Sequence, residues 1–362
     1  MTKKSTRPPF EIGGQSIDPG TRRTVKIEIG FLADHTLMGM TAHVIHGRAE
    51  GPVMFVSGAI HGDEILGVEI IRRLMGVKTL NRLKGTLILV PVVNAYGFLA
   101  QSRYLPDRRD LNRSFPGSST GSLAGQLAHT FVSEIVARCS LGIDLHTAAI
   151  HRDNLPQIRA NLDDPDVLQM AEAFGTSIML HAHLREGSLR QAAGEMGCKT
   201  LLYEAGEALR YDEKAIRIGV RGVVGVLRNV GMVPLPKASA KPSGQASAKR
   251  KASILSPIRS DRSTWQRAPI GGVMRASKGL GDRVRKGEVI AQISDPLGEV
   301  NEAVEAPITG IIIGRTNLPV VNRGDALFHV ARVKSASDAE DLIEALSDEV
   351  DEDPLFDGVE IV

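Results

Sequence analysis

Residues 51–75 read GPVMFVSGAIHGDEILGVEIIRRLM, and two periodicities meet within them. Pro52-Val-Met-Phe-Val56 is a continuous apolar run of strand length, as in a sheet covered on both faces. Ile65, Val68, Ile71, Leu74 and Met75 then recur at helical spacing. A second apolar run, Thr86-Leu-Ile-Leu-Val90, closes a strand–helix–strand unit. Val25-Lys-Ile-Glu-Ile29 alternates with period two and predicts a half-buried strand. Leu141-Gly-Ile-Asp-Leu145 and Thr200-Leu-Leu-Tyr203 add buried strands. Such alternation predicts an α/β fold with a mixed, mainly parallel sheet and helices on both faces.

The flanks differ in composition. Residues 1–20 are polar and rich in Gly and Pro, an N-terminal arm, and residues 21–235 carry the α/β pattern. Residues 236–263 are Ala-, Ser- and Lys-rich and cannot bury an apolar face, which predicts a linker or exposed loop. Residues 264–333 are short strands punctuated by Gly, a small β barrel-sandwich. From Ser335 onward eleven acids occur without a Lys or Arg. Residues 334–362 therefore read as an acidic tail, mostly disordered apart from a helical turn or two over Asp338–Leu346.

The chain has 362 residues, which favours two domains, and 44 basic against 42 acidic side chains. That near-balance argues against a nucleic-acid binder. No run approaches the roughly 20 apolar residues of a membrane span. The segment Met1-Thr-Lys-Lys-Ser has charge without an apolar stretch, so a secretory signal is not expected. Two cysteines, Cys139 and Cys198, exclude a disulfide framework and read as small buried side chains. The expected compartment is the cytoplasm.

Four phrases carry chemistry. In His61-Gly-Asp-Glu64, a three-residue step at a helix start puts an imidazole and a carboxylate on one face, suited to sharing one cation. Ile143-Asp-Leu-His146-Thr147 offers a second imidazole at the end of a buried strand, with Asp144 at matching parity to orient it. Arg103-Tyr104 and Asp110-Leu-Asn112-Arg113 supply guanidinium and amide donors for a carboxylate or carbonyl. Leu202-Tyr203-Glu204-Ala-Gly206-Glu207 brings a carboxylate out of an apolar strand, and either glutamate is a candidate general base. His151 lies near His146 and is a candidate for the site mouth, whereas His129 reads as structural and His181-Ala-His183 as a weak metal pair.

Taken in this order, H-G-D-E, R-Y…D-L-N-R, D-L-H-T and E-x-G resemble the succinylglutamate desuccinylase/aspartoacylase branch of the zinc carboxypeptidase-like superfamily, over residues 20–333. The resemblance implies one zinc ion per chain on His61, Glu64 and His146. It implies Glu204 as catalytic base and acid, with Glu207 second. It also implies Arg103 at the scissile carbonyl, with Asn112 and Arg113 on the substrate carboxylate. Arg159, in Leu155-Pro-Gln-Ile-Arg159, is a further candidate substrate contact outside these motifs. The activity implied is removal of a small acyl group, such as acetyl or succinyl, from an N-acyl amino acid. A carboxypeptidase-like metallopeptidase and a catalytically silent binding protein on the same fold are the alternatives. Homo-oligomerisation is left open. The second domain resembles biotinyl/lipoyl carriers, but Ser294-Asp-Pro-Leu-Gly-Glu-Val-Asn301 lacks the Lys a swinging arm needs, so a structural cover is expected.

Overall fold

The computed structural model describes residues 7–235, 256–351 and 353. Strands β1 (Phe10–Ile12), β2 (Gln15–Ile17), β3 (Thr21–Phe31), β4 (Leu37–His46) and β5 (Ala49–Gly58) lead into helix α1 (Leu66–Gly76) and strand β6 (Lys84–Val90). Helices α2 (Ala95–Leu99) and α3 (Leu123–Glu134) precede β7 (Leu141–Ala148) and β8 (Arg152–Ala160). Helix α4 (Pro165–Phe174), strand β9 (Ile178–His181), helix α5 (Leu189–Glu195), strand β10 (Lys199–Glu207) and helix α6 (Glu213–Asn229) complete the α/β part.

Within it the strands lie in the order β3-β4-β6-β5-β7-β10-β8-β9. The centre, β6-β5-β7-β10, is parallel, and antiparallel partners flank it. The apolar run of β5 is explained by burial on both sides. Met54 and Val56 face α1 and α6, among Ile70, Leu74 and Val223. Phe55 points the other way, onto Phe131 of α3 at a ring separation of 5.7 Å. Each such side chain contributes about 1.5–3 kcal/mol on burial.

The C-terminal part comprises β11 (Ile258–Ser260), β12 (Ser263–Arg267), β13 (Gly272–Ala276), β14 (Arg283–Val284), β15 (Val289–Ser294), β16 (Asn301–Glu305), β17 (Gly310–Thr316), β18 (Val320–Val321) and β19 (Ala326–Ala331). Strands β16-β15-β13-β18 form one sheet. Its apolar face, with Met274, Ile290 and Val304, packs on Ile312, Phe328 and Val330 of the other sheet. That other sheet is continuous with the α/β part. β17 pairs antiparallel with β8, and β19 and β12 follow outward, while β11 adds to β9.

Two expectations at the termini differ from the structure. Residues 7–20 are not merely an arm: β1 and β2 form a hairpin whose Ile12 and Ile17 are buried in the same core cluster as Val25 of β3 and Phe131 of α3. The acidic segment is not mostly disordered over its described length, because Ala336–Asp351 is one helix. Ala339, Leu342 and Val350 of that helix are buried, and its acids find cations from elsewhere: Glu349 pairs with Arg221 at 2.6 Å and Glu340 with Arg283 at 3.3 Å. The expected linker over 236–263 lies outside the described residues up to 255; its end forms β11 and the start of β12. Among the described residues no helix is long and apolar enough to cross a membrane.

Candidate functional site

The parallel strands β5, β7 and β10 run side by side, so their C-terminal ends deliver residues to one edge of the sheet, where open α/β sheets place their sites. His61 follows β5 in the loop before α1, and Glu64 sits two residues ahead of that helix. The loop is tight because Gly62 abuts α2; a Cβ there would lie 1.9 Å from the carbonyl carbon of Gly97. His146 stands near the end of β7.

The three side chains converge. His61 Nδ1 lies 2.6 Å from Glu64 Oε1, and His146 Nδ1 lies 2.6 Å from Glu64 Oε2. All are buried, and one ligand atom from each falls within 4.8 Å of the others. Each imidazole is oriented from behind. His61 Nε2 meets Asp110 Oδ1 at 3.0 Å, and His146 Nε2 meets Asp144 Oδ2 at 2.7 Å. Asp144 is itself held by the Ser57 hydroxyl at 2.8 Å. A carboxylate behind Nε2 favours the tautomer with its proton there and frees the Nδ1 lone pair toward the centre. Two nitrogens and a carboxylate converging in this way fit a divalent cation.

Electrostatics match. Burial disfavours the charged form of His61, but the Glu64 charge and the hydrogen bond to Asp110 outweigh it and raise the imidazole pKa. His146 is raised further, burial being overcome by Asp144 and Glu64. Glu64, despite the opposing effect of burial, is held far below the usual carboxylate range by the two histidines. The carboxylate and the two imidazoles thus form one coupled buried cluster in which each favours the charged form of the other.

The remaining expected residues surround a cleft of about 220 Å³ at this centre. Arg103 bridges Glu64 at 3.1 Å and Asp110 at 3.0 Å. Asn112 is buried, its Oδ1 accepting from the Leu189 backbone N–H at 2.9 Å, and Arg113 lines the cleft beside it. Glu204, the register partner of His146 on the neighbouring strand, lines the same cleft, with Arg159 Nε 2.5 Å from its Oε2. The structure separates the two glutamates of β10. Glu207 is turned outward, where it accepts from His151 N and Asn317 Nδ2 and does not line the cleft. His151 itself is exposed. His181 and His183 meet edge to face, ring centroids 5.1 Å apart, and neither lines the cleft. Cys198 is buried, and burial pushes its thiol up to about 11, consistent with an inert side chain.

Sequence reasoning missed several residues. Asp110 lies within a quoted motif, yet its role behind His61 was not legible. Arg185 and Arg190 arrive from the β9–α5 loop and from α5. Nothing in their local sequence marks them. Arg190 Nη1 is buried with no hydrogen-bond partner among the described residues, and burial together with nearby Arg159 lowers its pKa. Of the five arginines lining the cleft, only Arg103 and Arg159 are paired to a carboxylate among the described residues.

The catalytic-domain model of the succinylglutamate desuccinylase/aspartoacylase family matches residues 50–230, half of the chain. The chain belongs to this family. Its metal-type cluster, cleft and Glu204 all fall within the matched desuccinylase/aspartoacylase segment. N-alpha-acetyl-L-2,4-diaminobutyric acid deacetylase of Halomonas elongata is 28% identical over 296 residues, covering 79% of this chain and 84% of that protein. A succinylglutamate desuccinylase/aspartoacylase from Rhodobacter sphaeroides superposes with a TM-score of 0.74 at 24% identity, over 92% of this chain and 98% of that one. The product-bound ectoine utilization protein EutE (DoeB) from Ruegeria pomeroyi has the same TM-score at 22% identity, over 91% and 99%. These two structures share the fold, including the C-terminal β part.

Proposed function

We propose that this chain is a zinc-dependent amidohydrolase that removes a small acyl group from an N-acyl amino acid. The observation that carries the reading is the convergence of His61, Glu64 and His146 at a cleft that Glu204, beside His146 on the next strand, also lines. His61 Nδ1, a Glu64 oxygen and His146 Nδ1 would hold the ion. When bound, zinc supplies Lewis acidity toward the acyl carbonyl and makes water a stronger nucleophile near neutral pH.

The protein's own groups do the rest. Glu204 accepts the proton of the attacking water and returns it to the departing amine nitrogen. Arg103, fixed by two carboxylates, directs its guanidinium at the oxygen that gains charge in the tetrahedral species. Arg113 and Asn112 hold the substrate carboxylate. A cleft of about 220 Å³ supports a small acyl amino acid over the end of a polypeptide.

The curated relative's name makes an acetylated diamino acid one candidate. The cleft's own charge supports another class. Five guanidiniums line it against the carboxylates of Glu64 and Glu204, which favours a substrate with more than one anionic group and disfavours a second ammonium. The deciding experiment is amine release from N-acetyl-2,4-diaminobutyrate, N-acetylaspartate, N-succinylglutamate and a C-terminal dipeptide, using zinc-loaded protein. Glu204→Gln should lose turnover by about 10²- to 10⁴-fold while retaining metal. Absence of turnover on every acyl amino acid, or a full rate for Glu204→Gln, would overturn the reading.

A further inference from the structure

Glu204 is gripped on both oxygens. Arg159 takes Oε2, and Asn154 Nδ2 donates to Oε1 at 3.0 Å. Asn154 is buried at 6% exposure on β8 and was not singled out by its sequence context. Its place at Glu204 depends on an irregular register. Gln157 is opposite Glu204 and Asn154 is opposite Gly206, so three steps along β8 face two along β10. Three residues apart, Gln157 and Asn154 would point to opposite faces of a regular strand. The slip brings the Asn154 amide round to the Glu204 carboxylate, as irregular register next to active sites commonly re-aims a side chain.

The other flank of Asn154 belongs to the C-terminal β part. Its register partner on β17 is Gly314. A Cβ on Gly314 would lie 2.7 Å from Asn154 Oδ1 and 3.3 Å from the His329 Cβ, so the β17 backbone forms the wall against which the amide rests. With its oxygen set against Gly314, the amide presents its nitrogen to Glu204. One residue beyond β17's pairing with β8, Asn317 fastens the same region: its N–H donates to His151 O at 2.8 Å and its side chain to Glu207 Oε2 at 2.9 Å.

We propose that Asn154 is a positioning residue for Glu204, and that β17 sets Asn154 through Gly314, so that the C-terminal β part belongs to the catalytic apparatus and is not only a cover. The amide's hydrogen bond to one oxygen and the guanidinium's ion pair with the other restrain the carboxylate from two sides. This inference rests on the reading of Glu204 as the proton-transferring group, but the contact it concerns is testable without turnover.

The test uses full-length Asn154→Ala, Asn154→Asp and Gly314→Ala, each assayed for kcat, KM, bound zinc and thermal midpoint, with crystal structures of the wild type and variants. Asn154→Asp keeps the side-chain volume and the oxygen against Gly314 but removes the donor, so it also covers the case in which Gly314→Ala does not fold. The expected result is a fall in kcat of about 10- to 100-fold in each variant, with KM and bound zinc unchanged. In the Asn154 variants Glu204 should rotate away from its wild-type orientation. The Asn154→Ala/Gly314→Ala pair should be no worse than the more severe single change, because both act through one contact. Unchanged kcat in Asn154→Asp, or an unmoved Glu204 in its crystal structure, would overturn the proposal. If the wild type turned over no acyl amino acid, the proposed function would fail, and the position of Glu204 in the Asn154→Asp structure would still decide this one.

Discussion

Asp144→Asn is a nearly isosteric change whose effect follows from two hydrogen bonds. Asp144 is fully buried; Oδ1 accepts from the Ser57 hydroxyl at 2.8 Å and Oδ2 faces His146 Nε2 at 2.7 Å. In the variant the amide oxygen can still accept from Ser57. The amide nitrogen then meets His146 Nε2, and two donors would oppose each other. His146 resolves this by moving its proton to Nδ1, which removes the lone pair with which a metal ion would be bound. A hydrogen bond to a charged group contributes about 1.5–3 kcal/mol. Losing it from the metal-competent tautomer should weaken zinc affinity by about 10- to 150-fold, in line with the effect of partners behind metal-bound histidines elsewhere. Competition against a chromophoric chelator measures the affinity, and nitrogen NMR of His146 reports the tautomer. Zinc affinity equal to wild type would refute the orientation argument, and an unchanged His146 tautomer would refute its cause.

Arg103→Ala should lower kcat by about 10²- to 10³-fold with little change in KM, as expected for a group acting on charge that develops during reaction. Arg113→Ala should instead raise KM with kcat nearly kept; steady-state kinetics separates the two, and the reverse pattern would exchange their roles. Arg190→Leu should raise KM for substrates with two carboxylates while leaving N-acetyl-2,4-diaminobutyrate unaffected or improved, and equal effects on both would remove Arg190 from specificity. His329 is buried against Trp265, rings 4.7 Å apart, and burial with the Arg159 charge depresses its pKa to about 3. Between about pH 3 and 6.5 the unfolded chain therefore binds more protons there than the folded one, so stability falls as pH falls. The full slope is on the order of 1 kcal/mol for each pH unit below about 6.5. His329→Phe keeps the stack and should flatten that part of the pH dependence in thermal melts from pH 7 to 4; an unaltered slope would show that His329 does not titrate on unfolding.

Local pattern carried the centre of the fold and the metal-type cluster. The β5 run, the α1 spacing and the β6 run are each set by burial of their own residues, so they are readable without knowing their neighbours. His61 and Glu64 share a turn, and His146 ends an apolar strand, so their chemistry too is written locally. The rest depends on distant pairing. Phe10, Ile12 and Ile17 offer only three apolar residues around a Gly-Gly turn, and their burial comes from a core cluster assembled from distant elements. The final helix looked unfoldable by charge until Arg221 and Arg283 supplied partners more than fifty residues away in the chain. Asn154 and Arg190 owe their positions to a register slip and to the placement of a short helix, neither of which leaves a mark in the adjacent sequence.

The sheet that runs unbroken from β8 into β17 has a consequence for dissecting the molecule. A polypeptide ending at residue 235 would strip the outer flank of β8 from Arg152 to Asn154 and that of β9 from Ile178 to Leu180. Both would become open templates for edge-to-edge self-association. Ile178 and Leu180, which meet Ile311 and Ile313 in the intact chain, would enter solvent with them. Truncation should therefore yield sticky, aggregating material instead of a smaller enzyme, and this chain is better regarded as one folding unit than as a catalyst with an appended module.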